Sequence, residues 1–197
     1  AAGGCHTLNS DLQVAGLQSY TIDLYKEIEE ISGQETGFRL TGGVFLAATP
    51  ERMELLKVMQ SQEKLLGIDT ELLTPTEAEK ILPLINPKEF LGALYTPMHG
   101  HLSPSDVTHA FAKAARIQGA EVVLRNRVTD LQPTPEGGWS VITEQGTIET
   151  EHVVNAGGLW AREVGRMVGL ELPVLAMEHM YLITEDMPEV EEINQST

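Results

Sequence analysis

Cys5 is the only cysteine in the sequence. An internal disulfide framework and a cysteine-based zinc cluster are therefore excluded, and a lone thiol fits a reducing compartment. Long apolar runs are missing too: none approaches the roughly 18–20 residues needed to cross a bilayer. The first residues, from Ala1 to Ser10, have no basic start and no apolar stretch, so they do not read as a signal peptide. Basic residues are scarce, with 13 Lys and Arg against 29 Asp and Glu and a formal charge of −16. Such a surface repels phosphate backbones, which argues against nucleic acid as a partner. We read the acidity as a source of solubility and not as a cation site. Gly-x-Gly-x-x-Gly occurs nowhere, so a complete dinucleotide site cannot be built from this sequence alone. There is no internal repeat and no low-complexity segment.

What is present is the composition of a globular protein, with 42% apolar residues. At 197 residues the chain holds one sizeable core or parts of two interleaved domains. It opens on Ala1 and not on Met, which we take as a processing site or a boundary within a longer protein.

Helix starts are legible. Thr49-Pro50-Glu51, Thr74-Pro75-Thr76-Glu77 and Ser103-Pro104-Ser105-Asp106 each place a hydroxyl at the N-cap, Pro at the first helical position and an acid in the first turn. The helix after Ser103 is expected to bury Val107, Ala110, Phe111, Ala114 and Ala115 and to stop at Gly119. A further amphipathic helix is expected from Leu12 to Ile31, with Tyr20, Leu24 and Ile28 on one side. Strands are expected at Gly43 to Ala48, Glu121 to Leu131, Trp139 to Thr143, Thr147 to Thr150, His152 to Asn155 and Val174 to Thr184. Gln145-Gly146 turns a hairpin, and the acidic tail from Glu185 to Thr197 looks poorly tied down. The mixture is α/β with antiparallel hairpins (α+β in character), and a pure parallel sheet does not account for it.

Val153-Val154-Asn155-Ala156-Gly157-Gly158-Leu159-Trp160 carries the strongest local chemistry. A strand ending on two glycines before a helix lets backbone approach an anion such as a pyrophosphate, although such turns are also ordinary packing junctions. Ala1-Ala2-Gly3-Gly4-Cys5-His6 offers a second backbone approach, against the alternative of a frayed terminus. Cys5 has no identifiable base and reads as a small apolar residue. His99-Gly100-His101 reads as a turn with solvated imidazoles, and metal is discounted for want of a third ligand. On a strand, His179 and Tyr181 share a face, so an imidazole and a phenol could position an amine; a half-buried cross-strand pair is the plainer alternative.

Taken in order, these segments resemble one family. Ala1-Ala2-Gly3-Gly4, Gly42-Gly43-Val44, Leu91-Gly92-Ala93-Leu94-Tyr95, Gly100-His101-Leu102-Ser103-Pro104, Val153-Val154-Asn155-Ala156-Gly157 and Met177-Glu178-His179-Met180-Tyr181 are similar to the D-amino-acid-oxidase-like flavoproteins, in the dimethylglycine/sarcosine dehydrogenase branch. The resemblance implies FAD as cofactor and oxidation of the C–N bond of a small N-methylated amino acid by hydride transfer to the flavin. It implies that Val128 contacts the adenine side through its backbone, that Ala156, Gly157 and Trp160 lie along the ADP portion, and that Gly3 and Gly4 approach the flavin ring. His179, Tyr181 and His101 would face the substrate: Tyr181 would hold the carboxylate or amine, and His179 would orient it or take a proton. In that branch a Trp-His pair precedes Ala-Ala-Gly and its His links to the flavin; here that position lies before Ala1.

The implied organisation is an internal part of a two-domain flavoprotein, with a mixed-sheet substrate domain and part of a Rossmann-like FAD domain. Residues 1–40 and 119–170 would belong to the FAD domain, and residues 41–118 and 171–197 to the substrate domain. The expected partner is a small amine, with no nucleic acid and no membrane, and a folate-binding domain could follow downstream. The expected compartment is the cytoplasm, or the mitochondrial matrix in a eukaryote. The chain alone is expected to be inactive. Two other readings stay open: a non-catalytic regulatory relative, such as the regulatory subunit of pyruvate dehydrogenase phosphatase, and a flavoenzyme acting on a hydroxy acid or a polyol phosphate.

Overall fold

A computed structural model describes every residue except 1, 2, 10, 181, 183, 196 and 197, with the backbone alone at 194 and 195. The chain divides into two compact units, residues 1–121 with 184–197 and residues 122–183.

The first unit is built on a three-stranded antiparallel sheet in the order β2 (Gly43–Ala47), β4 (Gly92–Thr96), β3 (Glu71–Leu73). The register pairs Gly43 with Thr96 and Ala47 with Gly92 on one side of β4, and Glu71 with Tyr95 on the other. Alternation along the strands buries both faces. Ala47 and Leu94 pack with Leu8 and with Leu56 of α2 (Pro50–Leu65). Leu73 and Ala93 pack with Ala78 of α3 (Pro75–Ile81). Leu56 and Leu94 are fully buried, each worth about 2 kcal/mol by area removed from water. The three caps read from the sequence form. Thr49 accepts from the Arg52 N–H, Ser103 accepts from the Asp106 N–H, and Thr74 closes a reciprocal capping box with Glu77.

Two helices pack beside the sheet, α1 (Leu12–Ser32) and α4 (Pro104–Ile117). Their shared core joins Ile28 to Val107, Ala110 and Ala114. Phe111 lies at the rim, 36% exposed. Tyr20 departs from expectation: α1 buries Ala15, Ile22, Ile28 and Ser32, and Tyr20 projects from the other side, 66% exposed. A helix this long changes partners along its length, so its buried stripe drifts and does not follow a single i, i+4 row. In the tail, residues Pro188–Gln195 form a helix, α5, with Glu189 and Glu191 in its first turn, where acids complement the dipole.

Two short strands, β1 (Gly4–Cys5) and β5 (Gly100–His101), pair antiparallel with Gly4 opposite His101. The other edge of β5 meets Arg39, whose N–H and C=O exchange bonds of 2.9 and 3.0 Å with His101. Gly3 accepts from the Leu102 N–H at 2.9 Å, and it takes a left-handed φ of 75° there.

The second unit holds an antiparallel meander of β6 (Val128–Pro133), β7 (Trp139–Thr143) and β8 (Gly146–Thr150). A short 3₁₀ turn, Gly158–Trp160, then leads into α6 (Ala161–Arg166). Three expected strands do not form as read. The run from Glu121 pairs only from Val128, because Arg125 takes a left-handed φ of 54° and interrupts the extended chain. His152 to Asn155 has strand composition but no ladder partner among the described residues, and Val154 is 88% exposed. The same holds for the described part of Val174 to Thr184, where Met180 is 97% exposed. A strand is completed by its neighbour's hydrogen bonds, so apolar composition without an adjacent edge does not make one.

Candidate functional site

Gly3, Gly4 and His101 come together at the β1–β5 pair. The two glycines differ in what they permit. A Cβ on Gly3 would strike the Leu102 carbonyl, so this glycine serves the packing of the two strands. A Cβ on Gly4 would meet nothing within 4 Å, so its backbone is open to a ligand. Two clefts border Gly4, Cys5 and His6, with volumes of about 270 and 540 Å³, and Tyr25 lines both. Burial raises the Cys5 thiol pKa, and it raises that of the Tyr25 phenol, to which the Cys5 charge adds. Both groups are thus kept in their neutral forms, and Cys5 is half-buried, in keeping with a small apolar role. The His101 side chain is exposed.

Ala156, Gly157 and Trp160 form one turn in the second unit. The Asn155 carboxamide organises it, accepting from the Gly157 N–H at 3.1 Å and donating to the Ala161 carbonyl at 2.8 Å. The Trp160 N–H closes on the Gly157 carbonyl at 2.9 Å. Gly157 is tightly packed, with a Cβ there 3.0 Å from Asn155 Oδ1, whereas Gly158 has a left-handed φ of 52° and open space around it. Val128 and Trp160 line the same cavity, of about 450 Å³, with Arg127, Glu163, Val164 and Met167. That volume is in the range of small-molecule sites. The half-buried Val128 and the 66% exposed indole of Trp160 offer flat apolar surface to an aromatic ring. Beyond the turn, Glu171 takes Arg166 at 2.8 Å and Arg162 at 3.0 Å. Those hydrogen bonds, Arg166's first, hold its carboxyl pKa below the usual range.

His179 is exposed in a segment without secondary structure, so the alternating strand face read from the sequence does not form around it. Tyr181 lies outside the described residues.

The sequence reading of His99 is corrected. Its imidazole is not solvated but only 4% exposed, in a cluster with Thr7 and Glu63, which are 0% and 1% exposed. The Thr7 N–H donates to His99 Nε2 at 3.1 Å, and the Thr7 hydroxyl donates to Glu63 Oε2 at 2.9 Å. Because Nε2 accepts, the neutral ring carries its proton on Nδ1. Burial, with the charge of His6 adding, lowers the His99 pKa from 6.5 to about 4. Burial raises the Glu63 pKa against the opposing Thr7 hydrogen bond, and Glu63 Oε1 has no hydrogen-bond partner among the described residues. One signal for Glu63 was available: it follows Leu56 by seven residues, two helical turns, on the buried side of α2.

Comparison with known proteins places these features in context. The family model DAO, FAD dependent oxidoreductase, matches residues 1–197. Mitochondrial dimethylglycine dehydrogenase of Rattus norvegicus is 35% identical over 202 residues, covering 96% of this chain and 24% of that protein. Mitochondrial sarcosine dehydrogenase of Mus musculus is 35% identical over 181 residues, covering 89% of this chain and 20% of that protein. Among solved structures, L-proline dehydrogenase from P.horikoshii superposes with a TM-score of 0.77 at 29% identity, covering 86% of this chain and 45% of that one. The chain thus spans about a quarter or less of the two curated relatives and under half of the solved structure.

Proposed function

The chain belongs to the family of FAD dependent oxidoreductases, and from that membership we propose that the protein containing it oxidises a small N-methylated amino acid of the sarcosine or dimethylglycine type. The observation that carries this reading is the 35% identity to a dimethylglycine dehydrogenase and a sarcosine dehydrogenase over 96% and 89% of the chain. FAD, when bound, supplies the hydride acceptor for oxidation of the C–N bond.

The residues of this chain divide the remaining work. The open backbone at Gly4, bordered by clefts, suits a flat ring system, and Gly3 holds the strand pair that presents it. Val128 and Trp160 would flank the adenine end, with Ala156 and Gly157 along the ADP portion. His101 and His179, both exposed imidazoles, would orient the substrate amine or take its proton, and Tyr181 would hold the carboxylate or amine. In this reading residues 1–40 and 119–170 serve the FAD domain, and residues 41–118 and 171–197 the substrate domain. No helix among the described residues is long and apolar enough to cross a membrane.

The test uses the whole protein that contains this chain, purified with its flavin. It is expected to reduce an electron acceptor with sarcosine or dimethylglycine, and His179→Asn is expected to lower kcat/KM by about 10²-fold or more. A preparation with no flavin absorbance and no acceptor reduction with either amine would refute the proposal. Activity on a hydroxy acid alone would keep the flavin chemistry and overturn the amine.

A further inference from the structure

We infer that Thr7, Glu63 and His99 form a buried hydrogen-bonded clamp that fixes the register of the Gly3–His6 segment, making all three positioning residues for the backbone face at Gly4. The inference rests on the reading that this face meets the flavin ring.

The need for such a device follows from the size of β1. Its two residues cannot specify their own pairing, and a slip of one residue would exchange the faces of Gly4 and Cys5. The slip would put a thiol side chain where the open backbone now lies. Buried Leu8 also ties down this stretch, but an apolar anchor has no directional preference and tolerates sliding. The polar contacts do not. Thr7 is held from two directions at once, its N–H by His99 at 3.1 Å and its hydroxyl by Glu63 at 2.9 Å.

Both partners are themselves fixed. Glu63 sits on α2, which is packed on the sheet through fully buried Leu56. The His99 ring lies on Gly43, where a Cβ would come within 2.7 Å of Nδ1. Phe45 meets the ring edge-on with centroids 5.3 Å apart, and His6 leans on it at 5.7 Å. The His99 carbonyl in turn accepts from the Gly42 N–H at 2.9 Å. The geometry also sets the charge state. With Nε2 accepting from Thr7, His99 is neutral, and among the described residues no cation lies in an ion pair with Glu63, whose pKa burial raises against the Thr7 hydrogen bond.

The experiment is amide hydrogen exchange on the 197-residue chain and on His99→Phe, which keeps a ring against Gly43 and Phe45 but removes the acceptor. The Thr7 amide of the variant is expected to exchange at least tenfold faster. The Leu102 amide, whose acceptor is the Gly3 carbonyl, is expected to follow it, while amides of the 139–150 hairpin stay unchanged. Glu63→Gln, which keeps an acceptor for the Thr7 hydroxyl, and Thr7→Ser are expected to match the parent. Thr7→Val is expected to accelerate Leu102, and it carries the same comparison if His99→Phe does not fold. Unchanged exchange at Thr7 and Leu102 in a folded His99→Phe, or an equal rise over the whole chain, would overturn the clamp. A second arm compares the visible flavin absorption of the whole flavin-loaded protein with that of its His99→Phe form, and a shifted spectrum is expected. Faster exchange with an unshifted flavin spectrum would leave the clamp standing and overturn the link between this strand and the flavin.

Discussion

An imidazole buried beside a threonine behaves differently from one in water, and His99 makes the difference measurable. Its ordinary pKa of 6.5 falls to about 4 in the folded chain. Between those values the unfolded chain binds a proton that the folded chain refuses. Stability therefore drops as pH falls from about 6.5 to about 4 and levels off below, by about 3 kcal/mol in all. Glu63 acts in the opposite sense, because its raised pKa makes the folded chain the better proton binder just above 4.5. In urea denaturation across this range, His99→Phe should remove the acid-side loss and leave a flat or inverted slope. An unaltered slope in the variant would contradict this account. Glu63 was signalled only by its spacing from Leu56 on α2, and His99 not at all. The His99-Gly100-His101 pattern looks like any polar turn, and burial there is imposed by Gly43 and Phe45, more than fifty positions away in the chain.

Local chemistry written within four residues was legible at the level of the element, and chemistry that needs a neighbour was not. The caps at Thr49, Thr74 and Ser103 depend only on a side chain reaching its own first turn, and all three form. The capping box is the strongest of them. Thr74 Oγ1 accepts from the Glu77 N–H at 3.3 Å while the Glu77 carboxylate accepts from the Thr74 N–H at 2.8 Å. With only seven residues in α3, Thr74→Ala should cost about 1 kcal/mol, read as a lower midpoint in thermal or urea unfolding. A midpoint equal to the parent's would show that tertiary packing alone holds this helix. By contrast, residues 152–155 and the described part of 174–184 carry strand composition but have no edge beside them among the described residues. They were read as strands from that composition, but a ladder is a property of two strands.

The two candidate cofactor regions lie in different compact units of the molecule, Gly3 and Gly4 in one and Val128, Gly157 and Trp160 in the other. The chain also lacks any Gly-x-Gly-x-x-Gly, so it does not itself supply the usual pyrophosphate cradle. Titration of the chain with FAD, followed by flavin fluorescence, should show weak binding or none, because without that cradle the dinucleotide has no preformed phosphate site. A tight one-to-one complex would mean that the residues present here suffice. The mixed α/β character, the hairpin within residues 139–150 and the Gly157-Gly158 turn into a helix were visible in the sequence. The division into units was not, since it depends on which segments find partners.

Both main-chain groups of His101 are spoken for by Arg39, while its side chain points into the open. Position 101 is therefore a place where selection can exchange one functional group for another while the surrounding frame stays as it is.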